Sequence, residues 1–138
     1  MRIEPDIKLD YKDVLIRPKR STLKSRKEVD LNRAYKFRNS KQEWQGIPIM
    51  AANMDGVGTF AMARALSDHS MFTCITKQHN KEDWDKNIEG IPRDHIAFSI
   101  GTSPAQWKEA YSTIVKHNLS WVCIDIANGY SEHFADFV

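Results

Sequence analysis

The chain predicts a parallel α/β array. Three observations carry that expectation. β-rich apolar runs begin near residues 47, 72, 95 and 121, about 25 residues apart, which is one strand and one helix each time. The run Trp121–Ile126 is almost continuously apolar, the pattern of a parallel strand covered on both faces. Polar residues follow the runs, and in parallel α/β folds the carboxyl ends of the strands are where chemistry is done.

The totals bound the class. The 138 residues give room for one modest domain. Hydrophobic residues make up 41% and charged residues 28%, ordinary for a soluble globular chain. Lys plus Arg is 20 against 18 Asp plus Glu, and a net charge of +2 gives no argument for nucleic acid. No run approaches the roughly 18 apolar residues of a membrane span. Met1-Arg-Ile-Glu-Pro-Asp6 lacks the apolar core of a signal peptide, so a cytoplasmic location is expected. Cys74 and Cys123 both lie in apolar β-like runs, which favours buried free thiols over a disulfide or metal pair.

In chain order, residues 1–46 read as an N-terminal extension or lid and residues 47–138 as four βα units. A short apolar patch, Val14-Leu15-Ile16, precedes a basic cluster of Arg17, Lys19, Arg20, Lys24, Arg26 and Lys27. That cluster is either a solvated loop or a cradle for phosphate, whose geometry suits the Arg fork. Val29–Phe37 could form a small hairpin or lid. Strand candidates are 47–52, 72–76, 95–100 and 121–126, with Pro48 tolerable near a strand start. Thr59 caps a helix to Ser67, and Asn80 caps one carrying Asp83, Trp84 and Ile88. Ser103-Pro104-Ala105-Gln106 reads as a capping box with Pro at the first helical position. Trp107, Ala110, Tyr111, Ile114 and Val115 then fall on one predicted helix face. Ser131, with Glu132 after it, starts a last helix that is expected to be cut off at Val138. A complete eight-fold barrel takes about 250 residues, so four units make half of one.

Two kinds of site compete. Gly56, Gly58 and Ala61 satisfy G-x-G-x-x-A between a strand and a helix, the pattern of a dinucleotide-binding turn. Against it, the acidic residue needed about 20 positions on is missing, since Thr76 and Lys77 end the second strand. Asn53-Met54-Asp55 also makes the turn too long. The alternative is convergence: Asn53 and Asp55, Lys77 and Thr102 follow strands, Asp125 lies near the carboxyl end of the fourth with Asn128 after it, and all project from one face of the inferred sheet. Lys77 and His79 there can bind phosphate or move protons. The remaining histidines, His69, His95, His117 and His133, lack metal-ligand spacing and read as structural or exposed.

Three long stretches carry a resemblance: Lys12-Asp-Val-Leu-Ile-Arg-Pro-Lys-Arg-Ser21 with Leu23-Lys-Ser-Arg26; Ala52-Asn-Met-Asp55 with Val57-Gly-Thr-Phe60; and Ile124-Asp-Ile-Ala-Asn-Gly-Tyr-Ser-Glu-His-Phe134. On these the chain resembles the IMP dehydrogenase/GMP reductase family over nearly its whole length, and looks like the reductase branch. The resemblance implies a (β/α)8 TIM barrel, of which this chain would hold about the first four βα units. It implies an NADPH-dependent conversion of GMP to IMP and ammonia, a potassium ion bound by a later loop, and a homotetramer. In that chemistry a cysteine attacks the purine carbon bearing the amino group, splitting one hard step into two easier ones.

By motif match, Lys77 would touch cofactor or substrate and serve the proton relay. Thr102 would belong to the relay that assists ammonia departure. Asp125, Ile126 and Ala127 would line the nicotinamide side, and Ser25 and Arg26 would approach the adenosine phosphate end of NADPH. The chain departs from the family pattern in places. Gly56 stands for the usual Thr, Thr76 and Gln78 stand for the histidines that flank the lysine, and His79 is shifted by one place. The family's nucleophile lies in a Gly-rich Cys-Thr-Thr-Arg loop in the second half of the barrel, and neither Cys74 nor Cys123 has that context. The 138 residues alone are therefore expected to be inactive. The rival expectation is a non-catalytic half-barrel that associates with itself or with full-length subunits.

Overall fold

A four-stranded parallel sheet and one hydrophobic layer of helices organise the chain. The computed structural model describes Ile3 and residues 5–138. Two compact units divide between Asp30 and Leu31. In the first, two single-turn 3-10 helices, Tyr11–Asp13 and Arg26–Glu28, are the only regular structure among the described residues. Asp10 and Asp13 close a capping box around the earlier turn, and Leu15 and Ile16 are fully exposed.

The second unit opens with a hairpin, β1 (Arg33–Lys36) and β2 (Glu43–Gly46), paired antiparallel with Arg33 opposite Gly46. Then come β3 (Met50–Ala51), α1 (Phe60–Ser67), β4 (Phe72–Ile75), α2 (Lys81–Asn87), β5 (Ile96–Ile100), α3 (Pro104–Lys116), β6 (Val122–Ile124) and α4 (Glu132–Phe137). The parallel sheet runs β3-β4-β5-β6, with Met50 opposite Phe72, Thr73 opposite Ile96 and Phe98 opposite Val122.

Strand alternation sorts the side chains into two clusters. Ile75, Ile96 and Ile100 pack with Phe60 and Ala63 of α1, Trp84 of α2, and Ala110 and Ile114 of α3. Phe72, Cys74 and Ala97 point the other way, with Trp44, Trp121 and Cys123 against them. Every core residue drawn from a helix thus lies on one face. Strand order also follows chain order without reversal. A dinucleotide-binding fold carries helices on both faces and reverses at a switch point. A singly wound sheet with helices outside is the wall of a barrel.

The hairpin seats at the amino end of that sheet. Trp44 stacks on Tyr35 and meets Phe72 and His95 edge-on, and its indole N–H donates to the Asp94 carbonyl at 2.8 Å. Phe37 meets Trp121 at 5.0 Å. These partners start β4, β5 and β6, so the hairpin forms a floor below the strands.

Several elements differ from expectation. The first strand shrinks from 47–52 to Met50–Ala51. Pro48 has no N–H to give to a ladder, and around it Ile47 donates to Ser70 at 2.8 Å and Ile49 to Ile47 at 2.7 Å. The hairpin extends to Gly46, because its second strand, Glu43–Gly46, lies in a polar stretch without an apolar run. The strand at 121–126 shortens to Val122–Ile124, and Val122 is 38% exposed because β6 is an edge paired on one side only. The helix at 104–116 is rotated from its expected face. Ala110, Thr113 and Ile114 are buried, while Trp107, Tyr111 and Val115 form an exposed stripe. Its Ser103 side chain makes no capping bond; the Trp107 N–H donates to the Ser103 carbonyl, and Pro104 pre-sets the first turn. Thr59, Asn80 and Ser131 cap as expected, Asn80 in a reciprocal box with Asp83.

Candidate active site

Three strand ends converge. β4 ends its ladder at Ile75; Thr76, buried, then donates its N–H to the Gly58 carbonyl at 2.8 Å, and the next residue, Lys77, reaches solvent. β6 is prolonged by one bond, from the Asp125 N–H to the Ile100 carbonyl at 2.7 Å. Lys77 and Asp125 therefore stand two strands apart, about 10 Å between backbones. The long lysine stem spans the end of β5, and its ammonium lies 3.0 Å from the Asp125 carboxylate. The Lys77 hydrogen bond holds that carboxyl below the usual carboxylate range, and the Asn53 side chain, from the loop after β3, adds to the effect.

The loop after β3 explains its own glycines. A Cβ on Gly58 would run into the Cys74 carbonyl oxygen and lie 2.9 Å from the Ala52 carbonyl and 3.0 Å from the Thr76 N–H. Gly58 thus lets the loop wedge between the ends of β3 and β4. Gly56 has φ +72 and open space around it, so its glycine answers to backbone conformation alone. The apparent dinucleotide fingerprint is this close packing.

Beside Lys77 a cleft of about 270 Å³ opens between the loop after β4 and the first turns of α3, lined by His79, Asn80, Gly101, Gln106 and Glu109 among others. Thr102 is half-buried in the loop after β5. Its hydroxyl is 3.0 Å from Nε2 of His133 in α4 and is not bonded to the Lys77–Asp125 pair. Ile126 is half-buried and Ala127 exposed in the loop after β6. That loop turns where the Tyr130 N–H donates to Asn128 Oδ1 at 3.0 Å, and enters α4 where Ser131 Oγ accepts from the Phe134 N–H. Asp55 is exposed. In the first unit, Ser25 caps the turn begun by Arg26, accepting from the Lys27 N–H, and both Ser25 and Arg26 are exposed. Cys74 is buried, Cys123 half-buried and both are free, within strands and not on a loop.

Lys77, Asp125 and Asn53 are therefore brought together, and Thr102 stands apart, bonded to His133, which the sequence marks only as structural or exposed and which is exposed here. The signal for His133 was its place in the first turn after the Ser131 cap, at the same end of the sheet. Among the described residues, no three or more His, Cys, Asp or Glu side chains gather as a metal site, and no helix is long and apolar enough to cross a membrane.

Comparison with known proteins bears on the family and the fold. GMP reductase of Escherichia coli O81 (strain ED1a) is 51% identical over 142 aligned residues, covering 100% of this chain and 41% of that protein. GMP reductase 1 of Rattus norvegicus is 52% identical over 141, covering 99% and 41%. This chain thus spans about two-fifths of the length of the curated relatives it matches. Among solved structures, inosine 5'-monophosphate dehydrogenase of Legionella pneumophila superposes with a TM-score of 0.70 at 16% identity, over 91% of this chain and 38% of that one, a likeness of fold. The four βα units are accordingly part of a (β/α)8 barrel. Residues 8–138 match the IMP dehydrogenase / GMP reductase domain, and the chain belongs to that family.

Proposed function

We propose that the protein carrying this chain is a GMP reductase, converting GMP to IMP and ammonia at the expense of NADPH. The observation that carries this reading is the Lys77–Asp125 pair bridging two strand ends at 3.0 Å, with Asn53 beside it, in a chain about half identical to GMP reductases over its full length. In the overall change, the exocyclic C–N bond of the purine breaks, a C–H bond forms, and the amino group leaves as ammonia. NADPH supplies the hydride.

Within the second unit the residues present fit the nicotinamide half of such a cofactor. In the first unit, by itself, Arg26 and Lys27 are exposed beside the Ser25 cap and offer cations suited to a phosphate. Ile126 and Ala127, next to a carboxylate already held by Lys77, offer an apolar edge for the nicotinamide side. Lys77 keeps its ammonium oriented by Asp125 and delivers a proton toward the departing nitrogen; such groups contribute about 10²- to 10⁴-fold. Thr102, whose motif match implies a place in the same relay, would reach it through substrate, since its hydroxyl is not bonded to the Lys77–Asp125 pair. Cys74 and Cys123, both in the strands, have no part in nucleophilic attack.

The test is GMP-dependent oxidation of NADPH followed at its absorbance band in the full protein, with IMP and ammonia identified as products. Lys77→Met is expected to lower kcat about 10²-fold or more. A wild-type protein that leaves NADPH untouched in the presence of GMP overturns the reading.

A second reading, association of this half-barrel with itself or with longer subunits, is favoured by the apolar groove of about 440 Å³ left between the hairpin and the inner face of the sheet, lined by Tyr35, Phe37, Trp44, Met50, Phe72 and Trp121 among others.

A further inference from the structure

The His133–Thr102 hydrogen bond has no part in the scheme above. It joins α4 to the loop after β5 across 31 residues of sequence. Among the described residues it is the only side-chain hydrogen bond that ties α4 to another element, the helix otherwise relying on Phe137 against the core. Between the two lies the loop from Ile126 to Ser131. Its beginning is fixed by the Asp125 N–H on the Ile100 carbonyl and by the Lys77 ion pair. Its interior contacts, from Tyr130 N–H to Asn128 Oδ1 and from Ser131 N–H to the Asn128 carbonyl, are internal to the loop. The far end is therefore held through α4, which His133 ties to the loop after β5 and Phe137 to the core.

We propose that His133 is a positioning residue: by clamping Thr102 it fixes the loop Ile126–Ser131 and the Thr102 hydroxyl in one arrangement for the nicotinamide side of the site. This rests on the functional reading above for what the loop touches, and on the structure alone for the clamp. The Thr102 hydroxyl both donates and accepts, so the bond forms with either state of the ring nitrogen. Conformational entropy sets the benefit, since a loop already ordered loses less on binding.

The experiment uses the full protein with His133→Ala, His133→Gln and Thr102→Val, and two readouts. The Gln amide nitrogen can take the place of Nε2. Hydrogen–deuterium exchange of the 126–131 amides is expected to rise several-fold in H133A and T102V and to return toward wild type in H133Q. The KM for NADPH is expected to rise about 10-fold in H133A, with the KM for GMP within 2-fold and H133Q restored; this corresponds to about 1.4 kcal/mol at 25 °C. In exchange, the double variant H133A/T102V should be no worse than either single one. Unchanged exchange in H133A overturns the clamp whether or not the protein reduces GMP. Raised exchange with an unchanged NADPH KM in an active protein overturns the positioning role. If the wild type does not reduce GMP, the functional reading has failed separately, and the exchange result still decides the clamp.

Discussion

At the scale of the residue, the Lys77–Asp125 pair makes the most direct prediction. Its side chains are 50% and 38% exposed, so solvent screens the attraction and its worth lies in orientation more than in stability. Asp125 titrates below its ordinary 3.8 because of Lys77 first and Asn53 second. A carboxyl lowered in this way adds stability above its unfolded pKa and loses it as pH falls through the folded value. A carbon-detected NMR titration should therefore find the Asp125 midpoint under 3.8, and Lys77→Met should move it upward. A midpoint unmoved by that change would show that the pair does not form in solution. Lys77 and Asp125 were legible in the sequence because each follows an apolar run. Their contact was not, since it depends on a lysine stem crossing the end of an intervening strand. Thr102 was legible by position, whereas for its partner His133 only the place after the Ser131 cap was legible, because no local pattern distinguishes a bonded histidine from an unbonded one.

At the scale of the element, the loop from Ala52 to Thr59 shows how one motif can satisfy two readings. The spacing of Gly56 and Gly58 matches a phosphate-binding turn, yet Gly58 serves the approach of backbone to the ends of β3 and β4. Gly58→Ala should destabilise by about 3 kcal/mol or more, since backbone must shift, while Gly56→Ala should cost about 1 kcal/mol for its left-handed conformation. Denaturant unfolding of both variants checks the contrast; a phosphate-binding turn would instead leave stability near wild type and remove nucleotide binding in both. The four βα units, their spacing and three of the caps were readable from periodicity and cap chemistry. The exceptions share a cause in tertiary context. Ser103 carries the right residue type for a cap, but Gln106 lies against Gly101 and the box does not close. On α3 the apolar residues span an arc wider than the contact surface. Packing selects Ala110, Thr113 and Ile114, and periodicity alone could not choose among the candidates.

At the scale of the whole molecule, the inner face of the sheet decides how this chain behaves by itself. Parallel sheets are ordinarily covered on both faces, and here helices cover one. The other face carries small buried residues, Cys74 and Ala97, and near its amino end Ile49 and Met50 at 55% and 60% exposure. The Trp121 indole N–H there is buried without a partner, a further cost of leaving the face as it is. β3 and β6 are short edges, two and three residues long, which limits but does not remove the invitation to another strand. The apolar groove beneath the hairpin adds a surface that water solvates poorly. The 138 residues expressed alone should therefore self-associate at micromolar concentration, with sedimentation velocity showing species larger than the monomer. Met50→Lys, which places a charge on the exposed edge without touching the helix-covered core, should shift the distribution toward monomer. A wild-type chain that sediments as one stable monomer across that range would mean that hairpin and sheet satisfy the inner face by themselves, and the half-barrel would then stand as a folding unit in its own right.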